Sequence, residues 1–141
     1  MIHLERRNWL RRTLSLWLAE QTNVWSDCDG SRPTVGRVEV NIDRLYAVFD
    51  ELQTLYARNR ADFAGLDSLD VWYEDLCSDY EAQMARVFDF LGLDAEPVRP
   101  QTDRQERRAL PDIIGNYAEV ADALVGTQFG WMVENELELA P

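Results

Sequence analysis

Arg7, Arg11 and Ser15 recur at four-residue intervals in a stretch of helical spacing, so they share one stripe of that helix. The stretch follows directly on Met1-Ile-His-Leu, which reads as the end of a buried strand. Open α/β sheets bind anions at such junctions, beyond the carboxyl ends of strands and beside helix N-termini. Arg supplies a planar two-pronged donor and Ser a hydroxyl. At 1.5 Å per residue Arg7 and Ser15 stand about 12 Å apart along the axis, a gap that a guanidinium folding back along the helix can close toward one phosphate. The plain alternative is an ordinary polar helix face.

Charge bears on that choice. The 141 residues carry 14 basic against 26 acidic side chains, a net charge of -12, and every basic residue is arginine. This balance argues against nucleic-acid polymers and anionic membranes, which need a broad basic face. The arginines are nevertheless gathered. Arg6, Arg7, Arg11 and Arg12 face only Glu5 within residues 1–12, and Arg99, Arg104, Arg107 and Arg108 stand with Asp103 and Glu106. Two readings stay open here: two anion sites, or two solvated faces whose arginines pair with nearby carboxylates. Other chemistries fall away. Cys28 and Cys77 are the only cysteines and His3 the only histidine, so a zinc cluster or a His-based nucleophilic site is not expected. No apolar run approaches the roughly 18 residues of a membrane span and the N-terminus lacks a signal-peptide pattern, so a cytoplasmic chain with reduced thiols is expected.

The elements that position these residues follow from spacing and turn chemistry. Asn8 caps a first helix with Leu10, Leu14, Trp17 and Leu18 inward, fading near Gln21-Thr-Asn. A loop spans 26–38, with Val38-Glu-Val extended, and Asn41 caps a second helix with the stripe Ile42, Leu45, Phe49, Leu52 and Tyr56. Leu69-Asp-Val-Trp-Tyr-Glu-Asp-Leu reads as the second strand. Ser78-Asp-Tyr-Glu81 reads as a capping box for a third helix, with Tyr80, Met84, Val87, Phe88 and Leu91 buried and Gly92 as its stop. A basic loop covers 94–110, and Pro111 opens a final helix with Ile113, Tyr117, Val120 and Leu124 inward. This order is α/β: a parallel sheet of two clear strands flanked by about four helices. Two parallel strands leave two open edges. Residues 1–141 are therefore expected to be a single incomplete domain, the C-terminal portion of a larger one. The sheet would be completed by a second copy or by a missing N-terminal half.

Several motifs in register carry a resemblance. Arg7 and Ser15 are spaced Arg-x-x-x-x-x-x-x-Ser directly after a strand, and Ser15-Leu-Trp-Leu-Ala-Glu-Gln-Thr-Asn-Val-Trp25 continues it. Val71-Trp-Tyr-Glu-Asp-Leu76 closes the second strand, Phe90-Leu-Gly-Leu93 closes the next helix, and the Arg104–Arg108 loop precedes Ile114-Gly-Asn-Tyr117. Together they resemble the sulfotransferases that use 3′-phosphoadenosine 5′-phosphosulfate, in the bacterial branch that includes trehalose sulfotransferase. The resemblance implies a P-loop-kinase-like fold. It also implies transfer of a sulfuryl group from that nucleotide, as co-substrate, to a hydroxyl of a carbohydrate or lipid, with no metal required because Arg and backbone donors can hold the donor's phosphates. Arg7 and Ser15 would hold the 3′-phosphate, Tyr73 would lie near the adenine, and one or more of Arg104, Arg107 and Arg108 would close over the phosphate. Tyr73 also has a plain reading as a half-buried strand aromatic. Glu74 and Asp75 occupy a strand end that is chiefly structural in the family, and are not cast as catalysts.

The resemblance has gaps. The family's Pro-Lys/Arg-Ser-Gly-Thr loop, which cradles the 5′-phosphosulfate, has no counterpart around any of the seven glycines. The family's usual catalytic His or Glu lies upstream of the Arg–Ser motif, before Met1. The catalytic residue is thus unknown, and the chain alone is expected to bind the nucleotide weakly with little or no turnover. The alternative is a non-catalytic nucleotide- or partner-binding module that retains only the 3′-phosphate site.

Overall fold

The structure is a computed structural model and describes residues 1–25, 36–100 and 108–134. Their elements are β1 (Ile2–Glu5), α1 (Trp9–Thr22), α2 (Ile42–Asp62), β2 (Leu69–Trp72), α3 (Tyr73–Ser78), α4 (Tyr80–Leu91), α5 (Leu110–Ile113), α6 (Tyr117–Leu124) and α7 (Trp131–Glu134). The mixed α/β class and the parallel two-stranded sheet agree with the sequence reading. The chain divides into two compact units, one of Met1–Arg7 with Gln53–Arg104 and the other of Asn8–Leu52 with Gln105–Pro141.

The first unit is built on the pairing of β1 with β2, in the register Ile2↔Leu69, His3↔Asp70, Leu4↔Val71 and Glu5↔Trp72. The N-terminal ammonium extends the pairing by donating to the Asp67 carbonyl at 2.6 Å. Arg60, near the end of α2, reaches Glu5 at 3.5 Å and Asp70 at 3.7 Å, tying the helix to both strands. Four expectations need correction here. β1 is not buried, since Leu4 is 62 % exposed. The second strand stops at Trp72, and Tyr73-Glu-Asp-Leu opens α3; with Glu74 and Asp75 in its first turn, the start of this helix suits acidic side chains. None of Tyr80, Met84, Val87, Phe88 and Leu91 is fully buried on α4. That helix begins one residue later than the capping box implies. Asp79, not Ser78, is the cap, and its carboxylate accepts from the Ala82 N–H at 3.0 Å. Gly92 ends α4 in the left-handed region at φ 66, where glycine carries no Cβ penalty.

The second unit holds the hydrophobic core. Leu10, Leu14, Trp17 and Leu18 of α1 join Leu45 and Phe49 of α2, Val120 and Leu124 of α6, and Phe129. Asn8 caps α1 as expected, accepting from the Arg11 N–H at 2.9 Å, and Asn41 does the same for α2 through Arg44 at 2.8 Å. The expected final helix is interrupted between α5 and α6. Ile114 is extended, at φ -98 and ψ 123, and bridges Val38 in parallel fashion. Asn116 then accepts from the Val40 N–H at 2.9 Å and donates to the Val40 carbonyl at 3.0 Å. Its amide thus takes the place of a backbone peptide beside an extended segment. The Gly115 N–H donates to the Val38 carbonyl at 2.9 Å and holds this crossing.

Candidate functional site

Strand register builds the site in the first unit. Because Glu5 pairs with Trp72, the residues just past the carboxyl ends of β1 and β2 are neighbours: Arg6 and Arg7 on one side, Tyr73, Glu74 and Asp75 on the other. Arg7 Nη1 and Nη2 donate to Asp75 Oδ1 and Oδ2 at 2.5 and 2.9 Å, a two-pronged ion pair. The guanidinium carbon lies 4.9 Å from the centre of the Trp72 ring, so the aromatic face supports its plane. The Arg7 main-chain N–H donates to Glu74 Oε2 at 3.1 Å. Arg6 stacks on Tyr73 at 4.6 Å and stands 3.9 Å from Glu74 Oε1 through Nε.

Electrostatics follow the geometry. The Arg7 hydrogen bonds hold the Asp75 carboxyl below its ordinary range; burial opposes this, and the charges of Arg7 and Arg86 reinforce it. The same hydrogen bonds raise the Arg7 guanidinium above its usual value, against a lowering by burial. The pair is partly open to water, with Arg7 42 % and Asp75 31 % exposed, whereas Arg6 and Glu74 are 16 % and 14 % exposed. Arg7 therefore combines a planar fork, an aromatic backing and access to solvent, and it is already bound to an oxyanion.

Of the residues expected to bind a nucleotide, Arg7 and Tyr73 come together at the strand ends, where the Tyr73 ring supports Arg6 and the Trp72 ring supports Arg7. Ser15 and Arg108 belong to the second unit. Ser15 is half-buried on α1, four residues beyond the buried Arg11. Arg11 Nη2 donates to the Arg108 carbonyl at 3.1 Å and so anchors the point where the chain leaves the basic loop. Arg104 and Arg107 lie outside the described residues. Sequence reasoning missed Asp75 as the partner of Arg7, and Arg11 as the anchor of Arg108. The first was within reach, because aligning the two strand ends in parallel brings residue 7 to residues 74 and 75. The second was not, because nothing local links position 11 to a carbonyl 97 positions away. Among the described residues no group of three His, Cys, Asp or Glu side chains could hold a metal ion, and no helix is long and apolar enough to cross a membrane.

Comparison with known proteins adds to this geometry. Residues 1–119 match the family described as Stf0 sulphotransferase. Nodulation protein H of Rhizobium tropici is 28 % identical over 137 residues, an alignment covering 96 % of this chain and 55 % of that protein. The chain thus spans about half the length of this curated relative. No solved structure matches significantly.

Proposed function

The chain belongs to the Stf0 sulphotransferase family, and from that premise we propose that it contributes the 3′-phosphate grip of an enzyme using 3′-phosphoadenosine 5′-phosphosulfate. The acceptor hydroxyl, on a carbohydrate or a lipid, attacks sulfur. The bond from sulfur to the bridging phosphate oxygen breaks, and adenosine 3′,5′-bisphosphate leaves. The acceptor proton passes to a base that is not assigned to this chain. Arg7 binds the 3′-phosphate through its fork and Tyr73 lies by the adenine. The family resemblance assigns phosphate binding to Ser15, Arg104, Arg107 and Arg108 as well. The observation that carries this reading is the grip of Arg7 on Asp75. A guanidinium backed by Trp72 and closed on two carboxylate oxygens fits the paired oxygens of a phosphate.

Calorimetric titration with adenosine 3′,5′-bisphosphate tests it. Arg7→Ala should weaken binding by about tenfold or more, the loss of a charge-assisted contact, and Ser15→Ala by less. Equal affinity in the native chain and in the Arg7→Ala/Ser15→Ala double variant would overturn the assignment.

A further inference from the structure

The reading above uses Asp75 only as a stand-in for a phosphate, yet its carboxylate engages both terminal nitrogens of Arg7. We propose that Asp75 is the exchange partner of Arg7, so that its carboxylate and the nucleotide phosphate bind the same fork in alternation. This rests on Arg7 being the phosphate ligand. A carboxylate and a phosphate present the same two-oxygen edge to a guanidinium, and one fork face cannot hold both. Trp72 covers a face of the guanidinium and the Arg7 main-chain N–H is committed to Glu74, so the group is held in place while its partner changes.

Charge and exposure favour exchange over a permanent pair. Arg6 and Arg7 stand against Glu74 and Asp75, and these four charges cancel. An anion arriving while Asp75 holds Arg7 meets no net positive charge from this group. Once Asp75 swings away, a full charge is available to it. A buried carboxylate could not be released so readily, since desolvation ties it to its partner. Asp75 is 31 % exposed, and an ion pair this open to water is weak enough for a phosphate to replace. Glu74 differs, being 14 % exposed and bonded to the Arg7 backbone, and it stays as a fixed part of the frame.

Titrating the whole chain with adenosine 3′,5′-bisphosphate at constant ionic strength separates the possibilities. Asp75→Asn keeps the shape and removes the charge, and should tighten binding about tenfold. Affinity for adenosine 5′-monophosphate, which lacks the 3′-phosphate, should stay within twofold. In an Arg7→Ala background the same substitution should change bisphosphate affinity less than twofold, because the competition needs Arg7. Asp75→Ser, which also lacks a carboxylate, should reproduce the gain if the asparagine variant melts too low to titrate. Unchanged or weaker binding in folded Asp75 variants, with Arg7→Ala still impaired, overturns the exchange and leaves the phosphate site standing. No effect of Arg7→Ala overturns both.

Discussion

The two units of this chain are held together by different forces. Among the described residues every buried apolar side chain except Val71 belongs to the second unit. The first unit instead leaves Leu4, Leu66, Leu91 and Leu93 more than half exposed, and relies on one pair of strands and on ion pairs from Arg7 and Arg60. The residues at its strand ends are charged, partly solvated and able to change partners. The second unit is apolar and interlocked: Phe49 and Phe129 lie 4.7 Å apart, with Trp9 at about equal distance from both, 6.1 and 6.0 Å. Packing fixes one region, and electrostatics arm the other.

Thermal or urea unfolding can break this contrast. Phe49 is fully buried, so Phe49→Ala should cost about 3–5 kcal/mol, the usual toll of deleting a core aromatic. Leu91→Ala, on the half-exposed face of α4, should cost below about 1 kcal/mol, as substitutions outside a packed core do. Similar losses in the two variants would mean that the first unit is as tightly packed as the second. A smaller effect probes the polar link inside the second unit. Asn116→Ala removes two hydrogen bonds to Val40 and should lower stability by about 1–3 kcal/mol in urea titrations.

The smallest effect concerns pH. The Asp75 carboxyl is held below its ordinary value of 3.8 by the Arg7 hydrogen bonds. The pair therefore stabilises the fold fully above that value and loses its contribution as pH falls through the lower, folded value. The native chain and Asp75→Asn should differ by no more than about 1 kcal/mol near neutrality, given the pair's exposure, and converge in strong acid. A difference that instead grew on acidification would show that Asp75 is not ionised in the fold.

Local chemistry made much of this legible. Asn8 and Asn41 are helix caps as their positions before apolar periodic stretches imply, and Gly92 ends its helix. The Leu45, Phe49 and Leu52 stripe is buried because its 3.6-residue period meets apolar partners. The same periodicity misled on α4, since an apolar stripe shows which face could be buried and not whether anything covers it. Ile114 was hidden for another reason: a helical pattern there gives way to a bridge with Val38, a contact distant in sequence that propensity does not register. At the strand ends Arg7 and Tyr73 were visible as residue types. Their partners depend on register, which pairs Glu5 with Trp72 and which a strand read too long by four residues conceals.

Each unit is assembled from two separated stretches, and this sets an order of completion during synthesis. Once residue 104 has been made, the nascent chain possesses every residue of the first unit, including both halves of the cluster around Arg7 and Asp75. The second unit still awaits Leu110, Ile113, Val120, Leu124 and Phe129, so α1 and the first half of α2 emerge without the surfaces that bury them. The better-packed unit is therefore the last that translation can finish. A stop codon near position 105 would spare every member of the strand-end cluster while removing half of the core.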